Sequence, residues 1–163
     1  MPERRSWIFA GRSRWFRTAI AAAVVLGLAV GLGAFTFGYA RGYSYLTNDP
    51  AACANCHIMT EHFDAWAKSS HRSVAACNDC HTPHEFASKY VVKARNGFWH
   101  SFYFTTGRYP DPLRITPGNR IVTEEACRYC HAPIVDAIDP GPHERGGQLG
   151  CVGCHRYVGH LVR

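Results

Sequence analysis

Charged residues are missing from one long stretch of the chain. None of the 23 residues from Thr18 to Ala40 is Asp, Glu, Lys or Arg, and most are apolar. At a rise of about 1.5 Å per residue, a helix of this length covers roughly 35 Å, enough to cross a hydrocarbon core of ~30 Å. The absence of charge therefore predicts a transmembrane helix over residues 18–40.

Acidic residues are scarce ahead of this stretch. Glu3 is the only one in residues 1–17, which also contain five arginines. By the positive-inside rule we expect a cytoplasmic segment at 1–17, an anchor in the inner membrane at 18–40, and a periplasmic domain at 41–163. The alternative is a cleaved signal peptide ending at Gly38-Tyr39-Ala40, but the apolar stretch is longer than the usual ~7–15 residues.

The exported part has little net charge. From Arg41 onward, 13 basic residues stand against 11 acidic ones, so the formal charge of +6 on the whole chain comes mostly from the N-terminal arginines. A nucleic-acid-binding protein needs basic residues clustered on one face or along one helix. We therefore expect no nucleic acid among the partners.

No cysteine lies outside four C-x-x-C-H motifs, and this motif is the signature for covalent attachment of c-type haem. Two thiols bond to the porphyrin, and the adjacent histidine binds the iron from one face. The sequence therefore predicts four covalently bound haem c groups. The attachment residues are Cys53 and Cys56, Cys77 and Cys80, Cys127 and Cys130, and Cys151 and Cys154, and the motif histidines are His57, His81, His131 and His155.

Eight cysteines also fit two zinc ribbons or four disulfide bonds. Neither alternative explains why a histidine follows every C-x-x-C pair. Histidine makes up 10 of 163 residues, so four such coincidences have a chance on the order of one in a hundred thousand. Haem attachment accounts for the cysteines and the histidines together.

The exported part is too short to build an ordinary apolar core beside four haems. We expect a mostly α-helical fold with extensive irregular structure, in which the haems supply most of the core. Cys53 and Cys77 are 24 residues apart, as are Cys127 and Cys151, which predicts two dihaem modules. Helices are predicted at Thr60–Ser70, Phe86 to about Phe104 and Glu124–Cys130, with turns at Tyr109–Pro112 and Thr116–Asn119.

The predicted helix that begins at Phe86 carries a basic face opposite its apolar stripe. This face either lies in the membrane interface or is solvated while the stripe packs on haem. Its members are Lys89, Lys93, Asn96 and His100.

Six histidines lie outside the motifs, and a second histidine is the common distal ligand of low-spin electron-transfer haems. A histidine close to a motif is poorly placed to reach the far face of its own haem, but it can reach a neighbouring haem. A surface position is the alternative for each candidate, and His62 and His100 are left open. The predicted distal ligands are His71, His84, His143 and His160.

Methionine is almost absent. Besides Met1 the chain contains only Met59, two residues after His57. Met59 cannot cross to the far face of the first haem while His57 holds the near face. It therefore either replaces His57 as a ligand of that iron or packs against the edge of the porphyrin.

These residues together resemble the NapC/NirT family of membrane-anchored multihaem cytochromes c, and most closely its NrfH branch. The resemblance covers nearly the whole chain. It implies a cytochrome that oxidises menaquinol and passes electrons to a periplasmic reductase, in this branch the multihaem, ammonia-forming nitrite reductase, so a hetero-oligomer is expected. It rests on the basic N-terminus, the anchor, the segments Cys53–Met59, Trp66–Ser73, Cys77–His84 and Lys93–Gly97, and Cys151–His155 with His160 beyond.

The resemblance also implies roles for individual residues. Met59 would be the unusual ligand of the first haem, with the quinol site beside that haem, and Lys93 matches the lysine of that site. The acidic residue associated with the site has no clear match, and Asn96, His100 and Glu61 are the local options. The four histidines predicted above would be the distal ligands.

Two other functions stay open. A hub donor of the NapC type would feed nitrate or other periplasmic reductases, although those relatives tend to be longer. A haem enzyme that itself reduces a small oxyanion would need an open iron and a substrate pocket. Whether the chain is an enzyme in its own right is left open, and reductase catalysis is expected in the partner.

Overall fold

The computed structural model describes residues 5–138 and 150–160. The chain divides into two compact units, Met1–Gly42 and Tyr43–Arg163. Within the described residues all regular structure is helical, and the connections between helices are irregular. The predicted fold class, mostly α with one N-terminal apolar helix, is confirmed.

The first unit is a single long helix, α1, at Arg5–Tyr39. Its segment Arg14–Tyr39 is long and apolar enough to cross a membrane, and it is the one such segment in the described residues. The hydroxyl of Thr18 donates to the carbonyl oxygens of Arg14 and Trp15, at 3.1 and 2.8 Å. The helix ends one residue before the predicted limit and starts well before Thr18.

The second unit consists of short helices and one long one. Helix α4 packs against α2 and α6, and α6 also packs against α7 and α8. Short 3-10 helices lie at Gly42–Leu46 and His57–Met59. The α-helices are α2 at Pro50–Cys53, α3 at Thr60–Ala67, α4 at Cys77–His81, α5 at Phe86–Thr106, α6 at Pro117–Cys130, α7 at Ala132–Ile138 and α8 at Cys151–Cys154.

Helix α5 matches the prediction and ends two residues later than expected. Gly107 terminates it in the left-handed conformation, at φ 66°, which glycine adopts without steric penalty. Gly97 lies inside the helix, where a Cβ atom would stand 3.3 Å from the ring of Tyr45. The missing side chain at Gly97 therefore lets Tyr45 pack directly on the helix backbone.

The predicted turn at Thr116–Asn119 is wrong. These residues form the N-terminus of α6, which begins at Pro117, seven residues before the predicted start at Glu124. The hydroxyl of Thr116 accepts the N–H of Asn119 at 3.3 Å, and proline is favoured at the first helical position because it has no N–H to satisfy. A Thr-Pro-Gly-Asn sequence is therefore a helix start here, although the same residues are typical of turns.

The second unit has almost no core of its own side chains. Ala126 is the one buried apolar residue among those the structure describes, and no large side chain there is fully buried. The two buried polar residues are Thr82 and Lys93. A domain of this size normally buries many large apolar side chains, so its interior is left for another group to fill.

Candidate functional site

The four C-x-x-C-H motifs lie next to one another in chain order. The thiols of Cys53 and Cys77 are close enough to interact, which lowers the pKa of Cys53 to about 7 and raises that of Cys77. Cys80 is close enough to Cys130 for their charges to interact, and Cys127 is close enough to Cys151. The first motif therefore neighbours the second, the second neighbours the third, and the third neighbours the fourth.

This arrangement fits covalently attached haem. None of the eight cysteines forms a disulfide bond. In the described parts of the chain, no three His, Cys, Asp or Glu side chains converge as a zinc site would require. The missing apolar core gives the porphyrins room, and each motif pairs two thiols with an adjacent imidazole, the donor set of a c-type haem.

His71 lies close to the third motif. Its Nδ1 is 3.1 Å from the carbonyl oxygen of Val158 and 3.2 Å from the hydroxyl of Ser70. In the tautomer in which Nδ1 donates to the carbonyl, Nε2 carries no proton, and metal-binding histidines usually donate their other N–H in this way. The ring of His71 lies 6.1 Å from that of His131 in the third motif.

A second pair of imidazoles joins the second motif to the C-terminal segment. The rings of His81 and His160 are 5.9 Å apart and nearly parallel, at 14°. Burial, with His160 nearby, lowers the pKa of His81 to about 4, which keeps its imidazole neutral, the form that binds a metal. His62 contacts the edge of His160 at 4.9 Å, so it belongs to the same group of imidazoles.

The other two predicted distal ligands are not brought to a motif histidine by the described structure. His84 stacks on Tyr129 at 4.1 Å, at the mouth of an open pocket of about 440 Å³ between the start of α5 and α6. Val122 and Ala126 form part of its wall. His143 lies outside the described residues.

Met59 and His57 occupy the two ends of one short 3-10 helix. The backbone N–H of Met59 donates to the carbonyl oxygen of Cys56 at 2.8 Å. Met59 is half-buried and His57 is exposed. Both side chains therefore start within one turn of the first pair of cysteines.

Lys93 is the most deeply buried charged side chain described, at 5% exposure. Its Nζ donates to the carbonyl oxygen of Thr47 at 2.8 Å and to Oδ1 of Asn48 at 3.2 Å. Burial, with Lys89 nearby, lowers the pKa of Lys93. The predicted basic face is thus not solvated at this position, because Lys93 turns inward to the segment that leads into the first motif.

Asn78, inside the second motif, binds the same two acceptors as Lys93. Its Nδ2 donates to Thr47 at 3.0 Å and to Asn48 at 3.2 Å. The positive charge of Lys93 also acts on the Cys53 thiol, where it lowers the pKa in addition to the Cys77 hydrogen bond. Lys93 therefore lies between the first two motifs.

His100 pairs with Tyr45, two turns of α5 beyond Lys93. The Tyr45 hydroxyl lies 3.1 Å from Nδ1 of His100. Burial raises the pKa of Tyr45 to about 12, with the charges of Cys56 and Cys53 adding to the effect, and burial lowers the pKa of His100. Tyr45 thus remains a neutral hydroxyl beside the first motif.

Sequence reasoning assigned no site role to Tyr45, Asn48 or Asn78, because their contacts cross 30 to 55 residues of chain. Of the residues considered for the acidic position, Asn96 is half-buried on α5 and Glu61 is exposed on α3. His100 is the one with a described bond to a residue beside the first motif.

Glu124 is another residue that sequence reasoning missed. Its carboxylate accepts the backbone N–H of Cys151 at 2.7 Å and that of Val152 at 3.2 Å, and so caps helix α8. Arg120 lies 3.9 Å from the same carboxylate. Glu124 therefore fastens the fourth motif to the helix that carries the third.

Comparison with known proteins supports the prediction of a c-type cytochrome. Residues 15–163 match the N-terminal region of the NapC/NirT cytochrome c family. The chain belongs to this family. Members of the NapC/NirT family are cytochromes c, so haem c is covalently bound here.

Within the NapC/NirT family, two NrfH proteins are close relatives. The cytochrome c-type protein NrfH of Wolinella succinogenes is 35% identical over 150 residues, which cover 84% of this chain and 82% of that protein. The cytochrome c nitrite reductase subunit NrfH of Nitratidesulfovibrio vulgaris is 30% identical, with 75% and 73% covered. NapC of Paracoccus pantotrophus is also 30% identical, with 96% and 79% covered.

A solved structure supports the same family membership. It is the cytochrome c nitrite reductase NrfHA complex bound to the HQNO inhibitor, and one of its chains superposes on this protein with a TM-score of 0.58. The identity is 26%, and the superposition covers 88% of this chain and 90% of the other. The fold is therefore that of a cytochrome c from a nitrite reductase complex.

Proposed function

We propose that this protein is a membrane-anchored tetrahaem cytochrome c that oxidises menaquinol and passes the electrons to a periplasmic, multihaem, ammonia-forming nitrite reductase. Residues 1–17 lie in the cytoplasm, 18–40 cross the inner membrane and 41–163 form the periplasmic domain. The observation that carries the proposal is the buried Lys93, held beside the first motif by Thr47 and Asn48 only a few residues after the apolar helix.

Lys93 and His100 would handle the quinol at this site. Quinol oxidation releases two protons, and a lowered pKa leaves a larger fraction of an amine or imidazole neutral at working pH, so that it can accept one. Burial lowers the pKa of both side chains. Tyr45 holds the His100 imidazole through Nδ1, so the other ring nitrogen remains available to the substrate. Asn96, on the same helix, would line the site.

A haem held by the first motif would supply one-electron acceptance from the quinol. The chain's contribution is the order of the attachment points, since interactions between thiols link the first motif to the second, the second to the third and the third to the fourth. Neighbouring attachment points would keep successive haems close. This order supports a conducting path that begins at the quinol site and ends at the fourth motif.

The imidazole pairs support distal ligands for two of the irons. Two rings on opposite faces of one metal have centres roughly 6 Å apart, because a metal–nitrogen bond is about 2 Å long. His71 with His131, at 6.1 Å, and His160 with His81, at 5.9 Å, match this separation. We assign His84 and His143 as the remaining distal histidines, and Met59 as the ligand in the first motif.

The nitrite reductase partner is inferred from similarity to NrfH proteins and to a chain of the NrfHA complex. A NapC-type hub donor to nitrate or other reductases is the second candidate. It is favoured by the NapC relative from Paracoccus pantotrophus, which matches 96% of this chain at 30% identity.

The test is menaquinol oxidation by the holoprotein in proteoliposomes, followed through the haem absorbance. Lys93→Met keeps the length of the side chain and removes its amine, so the rate is expected to fall. Lys68→Met, at an exposed lysine after α3, is the matched control and should keep the wild-type rate. A Lys93→Met protein with the wild-type rate would refute the quinol site.

A second measurement identifies the acceptor. The purified protein alone should show no nitrite reduction, and should gain it when the multihaem nitrite reductase is added. Electron transfer to a nitrate reductase at the same rate as to the nitrite reductase would favour the NapC-type hub instead. Nitrite reduction by the protein alone would assign the catalysis to this chain.

A further inference from the structure

The C-terminal turns of α5 and the loop after it form an exposed aromatic surface, which we call the aromatic end. It comprises residues 98–109, and every one of them is exposed. No Asp, Glu, Lys or Arg occurs from Asn96 to Gly107. Its rings contact each other: Phe98 and Trp99 at 5.2 Å, Trp99 and Tyr103 at 5.5 Å, and Phe104 and Tyr109 at 4.5 Å.

Most of the aromatic side chains lie on one half of the helix. With 3.6 residues per turn, Phe98, Trp99, Phe102 and Tyr103 share that half, and Phe104 lies on the other half with His100 and Ser101. These five aromatic side chains are 37–64% exposed. A contiguous exposed aromatic surface of this kind marks a site that binds a membrane or a partner.

We propose that the aromatic end inserts into the lipid bilayer at the outer interface, as a second point of membrane attachment beside the N-terminal anchor. Tryptophan and tyrosine are favoured at membrane interfaces, where an apolar ring and a polar tip are both satisfied. The helical part, from Phe98 to Thr106, is about 14 Å long at ~1.5 Å per residue, too short to cross a bilayer but long enough to enter its surface.

Chain connectivity brings the bilayer within reach of this segment. Tyr45, which contacts His100 and packs on Gly97, is six residues after Tyr39, where the apolar helix ends. Six residues of extended chain reach roughly 20 Å at most.

Basic residues at both ends of the uncharged stretch also favour contact with lipid. Arg95 precedes the uncharged stretch and Arg108 follows it, and both are exposed. Basic residues at the edge of an apolar segment bind the phosphates of lipid headgroups. The proposal rests on membrane anchoring and does not depend on the quinol assignment of Lys93.

The experiment places the full-length holoprotein, one copy per nanodisc and without any reductase, among phospholipids that carry a photoactivatable diazirine in the acyl chain. After irradiation, cleavage at Arg95 and Arg108 releases the haem-free peptide 96–108, which contains all of the aromatic end except Tyr109. Mass spectrometry then counts lipid adducts on each peptide. The anchor peptide, 18–41, reports independently that the protein is inserted.

Two haem-free peptides serve as controls for exposure alone. Peptide 115–120 contains the exposed Ile115, and peptide 157–163 contains the exposed Tyr157. We expect several-fold more lipid adduct on 96–108 than on either control. Equal labelling of the three peptides would overturn the proposal. A second result would also overturn it: peptide 96–108 carries no lipid adduct, and the same segment cross-links to the nitrite reductase once the complex forms. This surface would then be a protein interface.

Discussion

The imidazole rings of His71 and His131 lie 6.1 Å apart, although 60 residues separate them in the sequence. His71 is oriented by the Val158 carbonyl, close to the C-terminus, so three distant segments meet at this one imidazole. In the proposed assignment, His71 is the distal ligand of the iron that His131 binds. The pairing also makes a spectroscopic prediction.

On the proposed ligand assignment, His71→Ala should convert one haem from low spin to high spin, because the iron assigned to His131 loses its distal imidazole. The optical and EPR spectra of the purified holoprotein measure this change. His62→Ala is the matched control, since His62 contacts His160 and is assigned to no iron, and its spectra should remain those of the wild type. Unchanged spin states in the His71 variant would contradict the pairing.

Asn48→Ala should slow menaquinol oxidation without removing a charge. Lys93 would keep the Thr47 carbonyl but lose one of its two acceptors. A hydrogen bond to a charged group contributes ~1.5–3 kcal/mol, so kcat/KM is expected to fall by roughly tenfold. Steady-state kinetics in proteoliposomes would measure this change. Asn119→Ala, on α6, is the control and should retain the wild-type value.

Lys93→Met should stabilise the folded domain at neutral pH. Burial lowers the pKa of Lys93 below its ordinary value of 10.5, so the unfolded chain binds this proton more tightly than the folded one. The free energy of unfolding then rises with pH between the lowered pKa and the ordinary value, and below that window the charge is destabilising.

Guanidinium titrations of the two proteins across alkaline pH measure this effect. The variant should show the higher midpoint at pH 7 and a flatter pH dependence approaching pH ~10. A lower midpoint would mean that the bonds to Thr47 and Asn48 outweigh the desolvation of the amine.

Glu124→Ala should loosen the fourth motif. The change leaves the N–H groups of Cys151 and Val152 without their acceptor, and loss of a helix cap costs about 1–2 kcal/mol. Denaturant unfolding measures the loss. Glu125→Ala, at the neighbouring exposed position on the same helix, should change stability by less than about 0.5 kcal/mol. Equal effects of the two changes would contradict the capping role.

Local patterns predicted the attachment sites and most helices, because these depend on residues that are neighbours in the sequence. The C-x-x-C-H spacing and the apolar stripe of the helix that begins at Phe86 are of this kind. The start of α6 at Pro117 was missed because Thr-Pro-Gly-Asn suits a turn and a helix start equally well, and the choice depends on the residues that follow.

Contacts between distant segments were not predictable from one sequence. The Glu124 carboxylate reaches an amide 27 residues away, and Tyr45 reaches His100 across 55 residues. Lys93 was predicted by resemblance, but its inward orientation was not, because a basic side chain on an amphipathic helix is normally solvated. Its burial depends on the backbone carbonyl of Thr47 and the side-chain carbonyl of Asn48, and the periodicity of the helix does not reveal these distant contacts.

The near absence of an apolar core has a consequence for biogenesis. With Ala126 as the one buried apolar side chain in the described residues, the polypeptide alone gains little free energy by becoming compact. Haem attachment and folding must then proceed together, as binding and folding do in small metal-dependent domains. A strain unable to attach haem should accumulate a tethered, protease-sensitive chain, so the abundance of this cytochrome would report the capacity of the haem-attachment machinery.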